Sequence, residues 1–181
     1  MRLIELTQGK QAIIDDCDYD LVSKFKWHAN YKNYRYWYAV CTRGKQAISM
    51  HRLILNAPSD KACDHANHNG LDNRRCNIRL CDYSENKGNG LPHKSYAKLP
   101  CSSRYKGVSW NRQGGKWTAR IKKGLNDYHL GYYDKEDDAA LAYNLHAVML
   151  FGKFAYLNNV ATFRGATIGA SCQRQPLNTS S

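Results

Sequence analysis

The sequence predicts an α+β chain. A β-rich N-terminal part leads into a strand–loop–strand–helix unit, and a three-stranded antiparallel sheet packed on one helix follows. Three observations carry this. Cys63-Asp64-His65 ends a short apolar run, a Gly/Asn-rich loop follows, and Asn77 to Leu80 returns as a second run before Asp82-Tyr83-Ser84-Glu85, which has the spacing of a helix capping box. Between Lys116 and Lys122, apolar Trp117, Ala119 and Ile121 alternate with Lys116, Thr118, Arg120 and Lys122, the period of a strand with one face toward a core. After Asp134 the pattern becomes helical, with acids first and alanines after.

In chain order, Leu3 to Leu6 and Ala12 to Ile14 flank a Gln8-Gly9-Lys10 turn and read as a strand pair. Asp18 to Trp27 reads as one short helix with Leu21, Val22 and Phe25 inward. Tyr34 to Cys41 is rich in Tyr, Trp and Val. It reads as a strand turning at Thr42-Arg43-Gly44-Lys45 into a second strand through Ile48, with its aromatics filling a small core rather than stacking on bases. Ser49 is placed to cap a short helix, Met50 to Asn56, on which His51 reads as a packed, hydrogen-bonded residue. Residues 91–102 hold two prolines and no clear period, so they read as a basic linker. Tyr105 to Asn111, Lys116 to Lys122 and Tyr128 to Tyr133 are the three strands, turned at Gln113-Gly114-Gly115 and Gly124-Leu125-Asn126-Asp127. Asp134 and Asp137 have N-cap and N3 spacing, and Gly152 suits the helix stop. The expected division is 1–90 with a core at about 61–90, the linker 91–102, a second domain 103–158, and a disordered tail 159–181.

The formal charge is +12, and residues 91–126 carry nine Lys or Arg with no Asp or Glu, so +9 lies in that stretch. Its regular strand pattern argues for a folded nucleic-acid surface rather than a basic tail, and it lacks the helical period of a membrane-surface segment. No run has the length of a membrane span, and Met1 to Glu5 is not followed by a long apolar core, so a soluble, cytoplasmic protein of a bacterial or phage-infected cell is expected, without a membrane partner. Seven scattered cysteines without close pairs read as reduced thiols, and no structural zinc is expected.

The stretch around Asp64 and His65 has the residues for cutting a phosphodiester. A histidine titrating near neutrality takes a water's proton. A hard divalent cation on oxygen ligands neutralises charge at phosphorus and leaving group. Neighbours on an extended strand point to opposite sides, so Asp64 can hold the ion while His65 approaches the phosphate. Asn86 offers an amide oxygen as a second ligand, and Asn77 sits where its amide can hold the histidine's local backbone.

These residues resemble a known family. Asp64-His65, Asp72-Asn73-Arg74-Arg75-x-Asn77-Ile78-Arg79-Leu80 and Ser84-x-Asn86 look like the HNH endonucleases with a ββα-metal finger, chiefly phage and intron-encoded homing enzymes. Leu6 to Lys10, Phe25-Lys26-Trp27 and Met50-His51-Arg52-Leu53 extend the likeness over about residues 1–90. The resemblance implies His65 as general base, Asn77 as the asparagine that orients it, and Asp64 and Asn86 as ligands of one divalent cation, Mg (or Mn). His68 falls where many relatives carry glycine and reads as a loop or phosphate contact. Arg74 and Arg75 are expected to contact DNA.

Ser103 to Val108, Lys116-Trp117-x-Ala119-x-Ile121, Leu130-Gly131-x-Tyr133 and Asp137-x-Ala139-Ala140-x-Ala142-Tyr143 resemble a second family, the APETALA/ethylene-response-factor DNA-binding domains. That likeness implies a sheet in the major groove, with Lys106, Arg112, Lys116, Arg120 and Lys122 as contacts. Ser109 and His129 replace an arginine and a tryptophan of the plant pattern, so the plant target sequence does not carry over. The resemblances together imply a site-directed endonuclease on double-stranded DNA, nicking one strand as a monomer, with a dimer as the alternative. The rival reading is a sequence-specific DNA-binding regulator with an inactive nuclease remnant; a third, a structural zinc protein, predicts stoichiometric zinc.

Overall fold

The computed structural model describes residues 1–32, 35–93, 95, 96 and 99–161. It is α+β, with several small antiparallel sheets and few helices. The chain forms two compact units that divide between Cys81 and Asp82. No helix among the described residues is long and apolar enough to cross a membrane, and no disulfide joins the six described cysteines.

In the first unit β1 (Arg2–Glu5) and β2 (Gln11–Ile14) form an antiparallel hairpin. Helix α1 (Tyr19–Val22) is a single turn, shorter than the 18–27 helix the periodicity predicts. The Trp27 indole N–H donates to the Val22 carbonyl at 2.9 Å, so the chain folds back instead of continuing, and Leu21 faces solvent while Val22 is buried. Strand β3 (His28–Lys32) has no counterpart in the sequence reading; it pairs with β4 (Tyr36–Arg43), which pairs with β5 (Gln46–Ser49). Tyr34, where the sequence starts that strand, lies outside the described residues. Helix α2 (Met50–Ile54) starts after Ser49, whose side chain makes no cap bond. Ala12, Ile14, Val22, Trp27, Ala39, Met50, Ile54 and Ile78 form one core. Strands β6 (Ala62–His65) and β7 (Ile78–Cys81) complete the unit as a separate hairpin. Its connecting loop is tied to β2: the Ile13 N–H donates to the Leu71 carbonyl and the Asn73 N–H to the Ile13 carbonyl, each at 2.8 Å.

The second unit opens with α3 (Tyr83–Asn89), where the capping box read from sequence is present. Asp82 accepts from the Glu85 N–H, and Glu85 accepts from the Asp82 N–H. Two short strands follow, β8 (Ser95–Tyr96) and β9 (Leu99–Pro100), inside the stretch read as a linker; residues 94, 97 and 98 of it lie outside the described residues. Strands β10 (Val108–Asn111), β11 (Lys116–Lys123) and β12 (Asn126–Tyr133) form an antiparallel sheet in that order, packed on helix α4 (Glu136–Phe151). Tyr105, Val108, Ala119, Ala139, Ala140 and Val160 make its core. The register shifts between Ala119 and Arg120, so Leu130 is the extra residue of a bulge on β12, a feature period-two reading does not show. Lys135, not Asp134, is the N-cap of α4. The first-turn acids serve elsewhere: Glu136 accepts from the Ser103 hydroxyl at 2.6 Å and Asp137 from the Tyr105 hydroxyl at 2.7 Å. Of the tail expected at 159–181, residues 162–181 lie outside the described residues.

Helix α3, which the sequence groups with residues 1–90, belongs to the second unit for identifiable reasons. Gly88 lets it approach α4 closely, since a Cβ there would stand 2.7 Å from the Phe151 ring. The Gly88 carbonyl also accepts from the Tyr156 N–H at 3.1 Å.

Candidate active site

Asp64 and His65 are both buried at the end of β6, and adjacent positions on a strand send them to opposite faces. Antiparallel register sets Asp64 opposite Arg79 and His65 opposite Ile78. The Arg79 guanidinium donates from Nε at 2.8 Å and from Nη2 at 2.7 Å, both to Asp64 Oδ2. On the other face the His65 ring stands edge-on to His51 at 4.9 Å between centroids and tilted to Tyr38 at 5.8 Å. Its Nε2 lies 3.5 Å from Oδ1 of Asn73, a fully buried amide whose Nδ2 donates to the Leu71 carbonyl. Burial pushes the His65 imidazole below the ordinary histidine range, against the opposing pull of Asn73, Asp64 and Asp72.

The loop from 66 to 77 is held by backbone hydrogen bonds together with side-chain amides and carboxylates. The Asn77 carbonyl accepts from the Ala66 N–H at 2.9 Å. Asn77 Oδ1 accepts from the Asn67 N–H at 3.0 Å, and its Nδ2 donates to the Asp72 carbonyl at 2.7 Å, so one amide spans the loop next to His65. Asp72 accepts from the Asn67 amide and from Arg74 Nε and Nη2 at 2.9, 2.7 and 2.6 Å. Gly70 is required by close packing: a Cβ would stand 2.4 Å from the Trp37 carbonyl oxygen and 2.7 Å from the Tyr38 ring. His68 has φ 62°, the left-handed region that glycine adopts most readily.

The remaining candidates lie on other elements. Arg74 is paired with Asp72, and Arg75 with Asp18 at 2.7 Å, so both arginines read as DNA contacts also brace the fold. Asn86 lies in α3 of the second unit. Lys106 is drawn inward: its Nζ donates to the carbonyls of Lys87, Gly88 and Gly90 at 2.9, 2.7 and 2.6 Å. Those carbonyls lie at the C-terminal end of α3, where that of Lys87 also accepts from the Gly90 N–H and that of Gly88 from the Tyr156 N–H, and the three bonds use all three ammonium donors. Burial pushes this amine down to about 8. A DNA contact from Lys106 would require breaking those three bonds. Arg112, Lys116, Arg120 and Lys122 are exposed, with Lys116 at 3.1 Å from Asp134 and Arg120 at 3.5 Å from Asp127.

Four residues around the Asp–His pair escaped the sequence reading. Arg79 was within reach, because strand spans of 62–65 and 78–81 place it opposite Asp64. Asn73 was visible only as part of a motif. His51 is packed as expected, its buried Nδ1 has no hydrogen-bond partner among the described residues, and burial, with lesser effects of His65, Arg52 and Lys32, pushes its pKa down to about 3. Tyr38 was read as core and instead lines the histidine pair.

Whether a hard cation suits these residues can be judged from Asp64. Its carboxylate is the donor type that Mg or Mn takes, and a cation there competes with Arg79 for Oδ2. Among the described residues, no group of three or more His, Cys, Asp or Glu is arranged to hold a metal ion. A carboxylate completed by amide oxygens and waters is a donor set that a hard divalent cation takes.

The arrangement defines a class: a two-unit α+β protein with a buried Asp–His pair on a braced hairpin, followed by a capped helix and a helix-backed three-stranded sheet. The chain is 31% identical over 159 residues to an uncharacterised HNH endonuclease of Acanthamoeba polyphaga mimivirus, covering 84% of this chain and 77% of that protein. It belongs to the HNH endonuclease family. Over 64 residues it is 41% identical to an AP2-like ethylene-responsive transcription factor of Arabidopsis thaliana, and over 75 residues 39% identical to one of Oryza sativa subsp. japonica. These matches cover 34% and 40% of this chain but only 11% of each plant protein. No family model matches the chain, and no solved structure matches it.

Proposed function

We propose that the protein is a site-directed DNA endonuclease that uses one divalent cation, Mg or Mn, and His65 as general base, and nicks one strand of double-stranded DNA as a monomer. The observation that carries this reading is the buried Asp64–His65 pair on a braced hairpin in a chain of the HNH family. A neutral imidazole has one donor and one acceptor nitrogen, so an Nε2–H directed at Asn73 Oδ1 makes Nδ1 the basic atom. Burial keeps that ring in its unprotonated form at neutral pH. His65 then takes a proton from the water that attacks phosphorus, and Asn77 positions His65 through the backbone of residues 66 and 67. Asp64 and Asn86 would hold the ion, whose chemistry when bound is to offset charge at the phosphate and the leaving oxygen. Arg112, Lys116, Arg120 and Lys122 would contact the duplex, with Arg74 and Arg75 adding to it from the first unit.

The rival reading, a DNA-binding regulator with an inactive nuclease remnant, is favoured by one observation: a guanidinium already sits on the carboxylate proposed as ligand. Incubation of supercoiled plasmid with magnesium or manganese separates the two. Relaxed circles from the native chain and none from His65→Ala support the enzyme; a tight, salt-sensitive mobility shift without cutting supports the regulator.

A further inference from the structure

The Asp64–Arg79 pair sits on the proposed ligand itself, and the chemistry above makes no use of it. Both guanidinium donors converge on one oxygen, Oδ2, at 2.8 and 2.7 Å. The aspartate side chain is 7% exposed and the arginine 20%. A carboxylate so deeply buried needs a countercharge, and in the free chain Arg79 provides it. The pairing is built into the hairpin, because register places the two residues directly across from one another. A divalent cation on the same oxygen and the guanidinium exclude each other. Of the two side chains, the short, sealed aspartate has little freedom, whereas the arginine is long, flexible and partly open to solvent.

We propose that Arg79 is the resident counter-ion of Asp64: it keeps the carboxylate oriented in the free chain and yields it when a divalent cation binds. Arg79 is thus a positioning residue, and the free chain binds metal more weakly than the bare carboxylate would allow. The proposal rests on the reading of Asp64 as a metal ligand.

The test is manganese binding by the full-length chain without DNA, read from the electron paramagnetic resonance signal of free Mn²⁺. Native protein, Arg79→Gln and Arg79→Lys are compared, each with and without Asp64→Asn. Arg79→Gln is expected to bind manganese on the order of tenfold more tightly than native. Arg79→Lys is expected to fall between them, since an ammonium keeps the charge but loses the planar fork. Asp64→Asn is expected to abolish binding in every background. Equal or weaker binding by Arg79→Gln, with binding still abolished by Asp64→Asn, would overturn the exchange and leave Asp64 standing as a ligand. Manganese binding indifferent to Asp64→Asn would overturn both. Should Arg79→Gln fail to give a cooperative thermal transition, Arg79→Lys decides alone, and affinity no greater than native overturns the proposal.

Discussion

In the first unit Arg74, Arg75 and Arg79 each grip an aspartate almost sealed from water: Asp72 and Asp18 are 3% exposed and Asp64 7%. On the sheet of the second unit, Lys116 and Arg120 meet Asp134 and Asp127, which are 84% and 48% exposed. The same charges therefore have different work. A cation on a buried carboxylate is part of the fold, because releasing it strands a charge; a cation on a hydrated carboxylate is released at little cost. Lys106 crosses this division, lying in the basic stretch but spending its ammonium on the carbonyls ending α3.

The largest effect that could break the contrast is on stability in the first unit. Asp72→Ala strands Arg74 and removes the acceptor for Asn67, and is expected to cost roughly 3–5 kcal/mol in urea denaturation. A cost below ~1 kcal/mol would mean these pairs are as dispensable as surface ones. Acid comes next. His51 is depressed to about 3 in the fold, so the unfolded chain binds its proton first as pH falls below the ordinary histidine value near 6.5. Stability present above that value is therefore lost on acidification, by about 2–3 kcal/mol between pH 6.5 and 4.5. Denaturation series should show a flatter acid limb in His51→Phe than in the native chain. In the second unit Lys106→Ala uncaps α3 and is expected to lower stability by ~1–3 kcal/mol while leaving the salt dependence of DNA binding unchanged. Arg112→Ala, Lys116→Ala, Arg120→Ala and Lys122→Ala should do the reverse. Each is expected to reduce the slope of log affinity against log salt by about one and to move stability by no more than ~0.5 kcal/mol. A Lys106→Ala chain that loses salt slope but not stability would return this residue to the DNA face.

The sheet and helix of the second unit were legible because the central strand, Lys116 to Lys122, alternates and each turn carries glycine or asparagine. Local chemistry likewise announced the α3 capping box. What stayed hidden was set by partners far along the chain. Trp27 folding back onto Val22 stopped α1 early, and Phe151 and Lys106 drew α3 into the second unit. The candidate site divides in the same way. Asp64, His65 and Asn77 were readable as residue types at a spacing, but Asn73, His51 and Tyr38 reach His65 only through the packing of β2, α2 and β4. Within the basic stretch Lys106 is bonded inward whereas Arg112, Lys116, Arg120 and Lys122 are exposed, a difference that strand period alone does not give.

The rate of plasmid nicking as a function of pH tests the hydrolytic role of His65 most directly. With magnesium saturating, the native chain should lose activity on acidification with a midpoint below 6.5, the ordinary imidazole value, because burial favours the unprotonated ring. His65→Ala should be slower by about 10²–10⁴-fold and lack that limb. Nicking by His65→Ala at the native rate, with the same acid limb, would contradict the account.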